Sequence, residues 1–198
     1  MKKQILTTSI SALVAGLAWQ AGASAQTLDY TAMSELFGEP VTAGATGAPQ
    51  RASDVPATMV IITGEDIRRF PERDIPGILR HYAGMDVTRY GFGDGQVNIR
   101  GAATGYTPRL LVLVNGREVY LDSYGYTAWA TLPVQLDEIQ QIEVVKGAQS
   151  ALYGFNAVSG VVNIITRNPE LGNYATAHVD GGTDSYTDLS LVAAYGLG

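Results

Sequence analysis

Aromatic side chains gather in three short loops, and these offer the chain's best means of gripping another molecule. Residues 90–95 hold Tyr90 and Phe92, residues 101–108 hold Tyr106, and residues 121–131 hold Tyr124, Tyr126 and Trp129. Flat rings on glycine-rich or polar loops suit stacking against a bulky ligand. They serve equally well for packing against another part of the same protein, and any single tyrosine is open to either use. Covalent chemistry has less support. Ser150 has no histidine near it in the sequence to act as base, and Asp137-Glu138 is a pair at a helix start. His81 and His178 are the only histidines and there is no cysteine, which leaves neither a disulfide framework nor an obvious zinc site. The alternating glycines at 91, 93 and 95 lack the helix that a dinucleotide fingerprint requires, because a strand-like run follows. No enzyme activity, cofactor or metal is expected.

The elements that must carry these loops alternate strand-like runs with short helices. Met59-Val60-Ile61-Ile62-Thr63 reads as a buried strand, and Thr63 then caps a helix over residues 65–69, with Asp66 at the capping-box position. Asp74 caps a second helix through Ile78, Leu79 and Tyr82, stopped by Gly84. Met85-Asp86-Val87 and residues 96–100 are extended. Residues 110–120 form the clearest hairpin, since Asn115-Gly116 fits the two left-handed positions of a type I′ turn. Leu136 to Ile139 makes a brief helical turn before the strand Ile142 to Val145. Gly147, Gly154 and Gly160 punctuate the path to the last strand, Val161 to Thr166.

Bulk properties narrow the class. A length of 198 residues favours one domain with a short appendage. The net charge of −6, from 13 basic and 19 acidic residues, argues against a nucleic-acid partner. The chain opens with Lys2-Lys3, an apolar run from Ile5 to Ala18, and Ala23-Ser24-Ala25 before Gln26, so residues 1–25 read as a cleaved signal peptide. The apolar run is short of the ~20 residues that a membrane-spanning helix needs. Residues 26–53, rich in Ala, Gly, Thr and Pro, read as a flexible extension, with one helical turn around residues 31–37 ended by Gly38. The stretch Glu39-Pro40-Val41-Thr42-Ala43 is extended. On a mobile tether such a stretch can add a strand to a partner's sheet edge; a plain linker is the alternative.

Several of these runs, taken in order, resemble a known family. The block from Ile142 through Glu143, Lys146-Gly147, Ser150, Leu152-Tyr153-Gly154 and Gly160-Val161-Val162-Asn163-Ile164-Ile165-Thr166-Arg167 is similar to the segment that closes the plug domain of TonB-dependent outer-membrane receptors. Val60-Ile61-Ile62-Thr63 with Glu65-Asp66-Ile67, and Asp74-Ile75-Pro76 leading to Gly84-Met85-Asp86-Val87, resemble the start of that plug. The resemblance covers roughly Tyr30 to Arg167. It implies an α+β plug at residues 54–168, seated inside a β-barrel in the cell outer membrane. It further implies energy-coupled uptake of a bulky, scarce ligand such as a ferric siderophore. Cobalamin, haem and glycans are also compatible.

Site roles follow from the same resemblance. Glu39, Pro40, Val41, Thr42 and Ala43 become the TonB box, which pairs with the periplasmic energy transducer. The three aromatic loops correspond by order to the outward, ligand-facing loops. Arg100, in Asn98-Ile99-Arg100-Gly101, matches an arginine that seats the plug against barrel carboxylates, and Glu143 and Lys146 are grouped with it. Lys146 stands where the family usually has arginine and Ala148 where it has proline. Lysine lacks the planar fork of a guanidinium, so seating there is expected to be weaker.

Residues 169–198 change texture again. Ala175, Ala177 and Val179 alternate with Tyr174, Thr176, His178 and Asp180, and Leu189, Leu191, Ala193 and Tyr195 alternate with Asp188, Ser190, Val192 and Ala194. Two such runs approach the ~9–11 residues of a membrane β-strand. They are read as the start of an incomplete barrel, so the chain is expected to be the N-terminal part of a larger receptor. The alternatives are an amphipathic hairpin that completes a soluble domain, and a free-standing periplasmic plug-like binding module without transport activity.

Overall fold

The structure is a computed structural model that describes residues 29–91, 94–101, 109–119, 121, 125–182 and 187–196. The signal-peptide reading, Phe92, Tyr106, Tyr120 and Tyr124 lie outside the described residues. The elements in chain order are helix α1 (Tyr30–Phe37), strands β1 (Val41–Thr42), β2 (Gln50–Arg51) and β3 (Thr58–Thr63), helices α2 (Gly64–Arg69) and α3 (Ile75–Leu79), and strands β4 (Met85–Arg89), β5 (Gly95–Ile99), β6 (Leu110–Val114) and β7 (Arg117–Glu118). Strand β8 (Ile139–Lys146), helix α4 (Ser150–Tyr153) and strands β9 (Gly160–Thr166), β10 (Tyr174–Gly181) and β11 (Thr187–Ala194) complete it. The outcome is the expected α+β plug.

A five-stranded mixed sheet in the order β3-β8-β9-β6-β7 forms the centre. Strands β6 and β9 run parallel and the other neighbours antiparallel. The runs Leu110–Val114 and Gly160–Thr166 are nearly continuous in apolar residues because both their faces are covered. One face carries Ile62, Ile142, Val144, Val162, Ile164, Leu110 and Val112, packed with Ile67, Ile75, Ile78, Leu79, Val97 and Ile99. Each such side chain contributes roughly 1.5–3 kcal/mol by leaving water. The opposite face carries Leu111, Leu113 and Val161, with Ala157 and Tyr153.

Local signals set the shorter elements. Thr63 and Asp66 complete their reciprocal capping box at 3.1 and 3.2 Å. Asn115 and Gly116 take φ of 50° and 75°, the left-handed pair that joins β6 to β7. Helix α3 ends at Leu79, before Tyr82, because its last turn tightens. His81 N donates to Ile78 O and Tyr82 N to Leu79 O, both at 3.1 Å, in i→i+3 bonds. The strand pattern of residues 97–100 predicts a place in one mixed sheet with residues 59–63, 110–114, 118–120 and 142–145. Instead β5 pairs only with β4 in a separate antiparallel hairpin, Met85 opposite Ile99 and Arg89 opposite Gly95, and that hairpin packs on the sheet through Val97 and Ile99.

The largest departure lies in the N-terminal extension. From Asp29 onward it is folded, with α1 capped by Asp29 and Gly38, and with β1 pairing β2, Val41 opposite Arg51. Val41 and Thr42 are 0% exposed. A flexible reading from composition missed this because the stabilising contacts come from residues about a hundred positions later.

Candidate functional site

Three places gather the sequence-derived candidates. The first is the extended segment 39–43. It lies on the second face of the central sheet, over Gln141 and Glu143 of β8 and Asn163 of β9. Gln141 Nε2 donates to Val41 O at 2.9 Å and to Glu143 Oε1 at 2.9 Å. Asn163, directly opposite Glu143 in the ladder, donates to Oε2 at 3.4 Å. Tyr153 Oη closes the segment by donating to Gly44 O at 2.7 Å. A side chain at Gly44 would displace the Glu143 carboxylate, which lies directly against that position. Glu39 sits at the rim, accepting from Ser53 Oγ at 2.8 Å with Arg51 3.6 Å away.

Glu143 therefore does not stand on a surface that a barrel could meet. It is 0% exposed, alternating with Ile142 and Val144 so that it points to the segment-bearing face. Burial pushes its carboxyl above the ordinary carboxylate range. Hydrogen bonds from Thr42, Asn163, Gln141 and the Ala43 backbone oppose that shift in part. Burial, with the Glu143 and Tyr153 charges beside it, pushes Tyr30 up to about 12. The grouping of Glu143 with the seating residues is corrected accordingly.

The other two seating candidates do come together. Arg100 and Lys146 flank Gly84, with Lys146 Nζ 3.8 Å and Arg100 Cγ 3.9 Å from where a Cβ would stand. Lys146 donates to Ala83 O. Arg100 is exposed and takes φ of 49°, a left-handed backbone that a non-glycine residue adopts at a cost. Two cationic side chains thus lie beside Gly84.

The aromatic loops divide. Tyr90 is exposed at the tip of the β4–β5 hairpin, its hydroxyl donating to Gln96 Oε1 at 2.8 Å. Arg89, just before it, grips Asp74 through both guanidinium nitrogens at 2.6 and 2.8 Å, and Glu72 lies 3.6 Å away. That fork fixes the hairpin to the start of α3. Glu72 also accepts from Arg80 at 2.8 Å and meets His81 Nε2 at 3.0 Å. The hydrogen bond from His81, then Arg80, holds the Glu72 carboxyl below its usual range. Tyr126 is half-buried and bridges Leu121. Trp129 is 7% exposed and belongs to the main core. Its indole is an anchor of the loop, and its assignment to the ligand-facing set is corrected.

Sequence reasoning missed Gln141 and Asn163 as parts of a site. The available signal was a set of polar residues inside otherwise apolar strands, Gln141 and Glu143 in β8 and Asn163 in β9, on two adjacent central strands. Strands β10 and β11 pair in register, Val179 opposite Leu189 and Ala177 opposite Leu191. One face exposes Val179, Leu189 and Leu191 at 71–74%. The other turns to the plug, with Asp180 3.5 Å from Arg73 and Ser190 Oγ donating to Asp137 at 3.1 Å.

The profile of the TonB-dependent Receptor Plug Domain family matches residues 51–161. The vitamin B12 transporter BtuB of Photobacterium profundum is 32% identical over 150 residues, covering 75% of this chain and 24% of the relative. The protein of that name from Vibrio cholerae is 32% identical over 163 residues, covering 81% and 26%. This chain spans about a quarter of the length of these curated relatives. Among solved structures, the ferripyoverdine receptor of the outer membrane of Pseudomonas aeruginosa aligns with a TM-score of 0.66 at 21% identity, over 81% of this chain and 21% of that one. At that identity the likeness concerns the fold.

Proposed function

The chain belongs to the family of TonB-dependent receptor plug domains, and on that premise we propose that it is the plug of an outer-membrane receptor for energy-coupled uptake of a bulky metal chelate. A ferric siderophore or a corrinoid is the ligand class. The plug closes a β-barrel whose first strands are β10 and β11. Arg100 and Lys146 seat it against barrel carboxylates. Tyr90, Phe92, Tyr106, Tyr124 and Tyr126 meet the ligand from the outer side. Glu39–Ala43 is the strand offered to a TonB-type periplasmic transducer.

The observation that carries this reading is the match of the plug profile over residues 51–161, joined to an extended N-terminal segment laid on the plug, paired with β2 and tied to the sheet through Gln141 and Tyr153. The names of the relatives support the chelate class, since they are vitamin B12 transporters. The outward apolar row Val179, Leu189 and Leu191 supports a lipid-facing barrel over a free periplasmic module, because strands entering a membrane turn apolar side chains to lipid.

The test is uptake by cells in which the full-length protein is the sole receptor of its type. Radiolabelled cobalamin and a panel of ferric siderophores are supplied with and without a protonophore. One ligand should accumulate only while the proton gradient stands, and should still bind the surface when the gradient is removed. Accumulation indifferent to the protonophore, or no surface binding of any chelate, would overturn the reading.

A further inference from the structure

Glu143 is a buried carboxylate that the transport reading leaves without a task. It lies in the central sheet at 0% exposure, and among the described residues no lysine or arginine reaches it. Its hydrogen-bond donors come from two sources. Gln141 and Asn163 belong to the sheet and stay in place, while the Thr42 side chain and the Ala43 backbone belong to the overlying segment. Gln141 ties the two together by donating both to Glu143 and to Val41 O. An ionised carboxylate shut away from water without a cation is costly, and partial hydrogen bonding offsets only some of that cost. When residues 41–44 part from β2, where Val41 and Thr42 pair with Arg51 and Gln50, and lift away from the sheet, water reaches the carboxylate and the cost disappears. A neutral carboxyl has no such reason to be uncovered.

We propose that Glu143 is a proton-linked latch: its neutral form keeps residues 41–44 docked on the sheet, and its ionisation favours their release as a free strand. That the freed strand is the one taken by the transducer rests on the proposed function above. The other titratable groups facing Glu143 are Tyr30 of α1 and Tyr153 of α4. Both hydroxyls are shifted upward, so neither adds a negative charge beside Glu143 in the carboxylate range, and a phenol has no positive form to offset one. The sign follows from linkage. Docking raises the Glu143 pKa, so the docked form binds the proton more tightly than the released form. Docking is therefore fully favoured below the ordinary carboxylate range, and the advantage is lost as pH rises through the raised value.

Amide hydrogen exchange on the full-length protein in detergent reads this directly, with peptides covering 39–44 followed from about pH 5 to pH 8 and corrected for the intrinsic rate. Protection of residues 41–44 should be highest at the acid end and fall as pH rises in the wild type. In Glu143→Gln, which cannot ionise, it should stay high and flat. Gly44→Ala, which drives a methyl group into the carboxylate, should expose the segment at every pH while β8 and β9 remain protected. If Glu143→Gln loses protection in β8 and β9, the wild-type profile and Gly44→Ala decide. A pH-independent wild-type segment, a Glu143→Gln profile that tracks the wild type, or a Gly44→Ala segment as protected as the native one would each overturn the latch. Binding of the transducer's periplasmic domain, titrated on the same samples, separates the two ideas. A pH-responsive segment that binds no transducer sinks the transducer reading and leaves the latch standing. Binding together with a pH-indifferent segment does the reverse.

Discussion

Val41→Pro should abolish energy-coupled uptake while leaving ligand binding at the cell surface intact, and Val41→Thr should preserve both. Strand addition draws its affinity from main-chain hydrogen bonds, with side chains setting preference. Proline removes the residue-41 donor and fixes φ. An unmade ladder bond costs about 1–3 kcal/mol, or roughly five- to 150-fold in transducer affinity. Threonine keeps the donor and the β-branched shape. It buries a hydroxyl where Val41 is fully enclosed, which loosens docking on the sheet without harming the freed strand. Uptake assays with matched surface-binding titrations check the pair. Equal uptake by the two variants would move the docking strand elsewhere in residues 26–53, with α1 and its exposed Leu36 and Phe37 as the next place to look.

Trp129→Ala should destabilise the plug by about 3–5 kcal/mol, the cost of emptying a large aromatic site in a core. The indole packs in the same cluster as Ile62, Ile78, Leu79 and Ile142, so the void would open beneath the main sheet. Tyr90→Ala, at an exposed hairpin tip, should cost much less stability and should act on ligand affinity instead. Urea midpoints and equilibrium ligand titrations of both variants give the contrast. A Trp129→Ala protein of native stability but weakened binding would return Trp129 to the ligand-facing set.

The sequence made the local parts of this fold readable, and the physical reason is that each is decided within a few residues. Thr63 with Asp66 and Asn115 with Gly116 announce a cap and a turn through side-chain hydrogen bonding and left-handed backbone tolerance. Both formed as read. The run Leu110–Val114 showed burial through uninterrupted apolar character. Non-local features stayed hidden. Val41 and Thr42 sit in an unpatterned stretch, and their burial depends on Gln141 and Glu143, far along the chain. The pairing of β5 with β4 was overlooked although the two strands are sequence neighbours, because residues 96–100 suit a central strand as well as a hairpin. Loop composition placed Trp129 among accessible rings, but it cannot say which ring of a loop turns inward. Glu143 carried a clear signal, a carboxylate amid Ile142, Val144 and Val145, and resemblance to a seating motif drew the reading away from it. Phe92, Tyr106 and Tyr124 lie outside the described residues, so their place at a ligand remains a proposal.

The most direct measurement is disulfide trapping in living cells. This chain has no cysteine, so Ala43→Cys adds a single thiol to it; any cysteine elsewhere in the full-length protein is first replaced by serine, and the thiol is paired with a series of single cysteines along the docking edge of the transducer's periplasmic domain. If Glu39–Ala43 is the docking strand, cross-links from position 43 should form in a strand-like register, alternating along the transducer edge. The absence of any cross-link from position 43, while a cysteine within residues 30–37 traps the transducer readily, would contradict the assignment of Glu39–Ala43 as the docking strand.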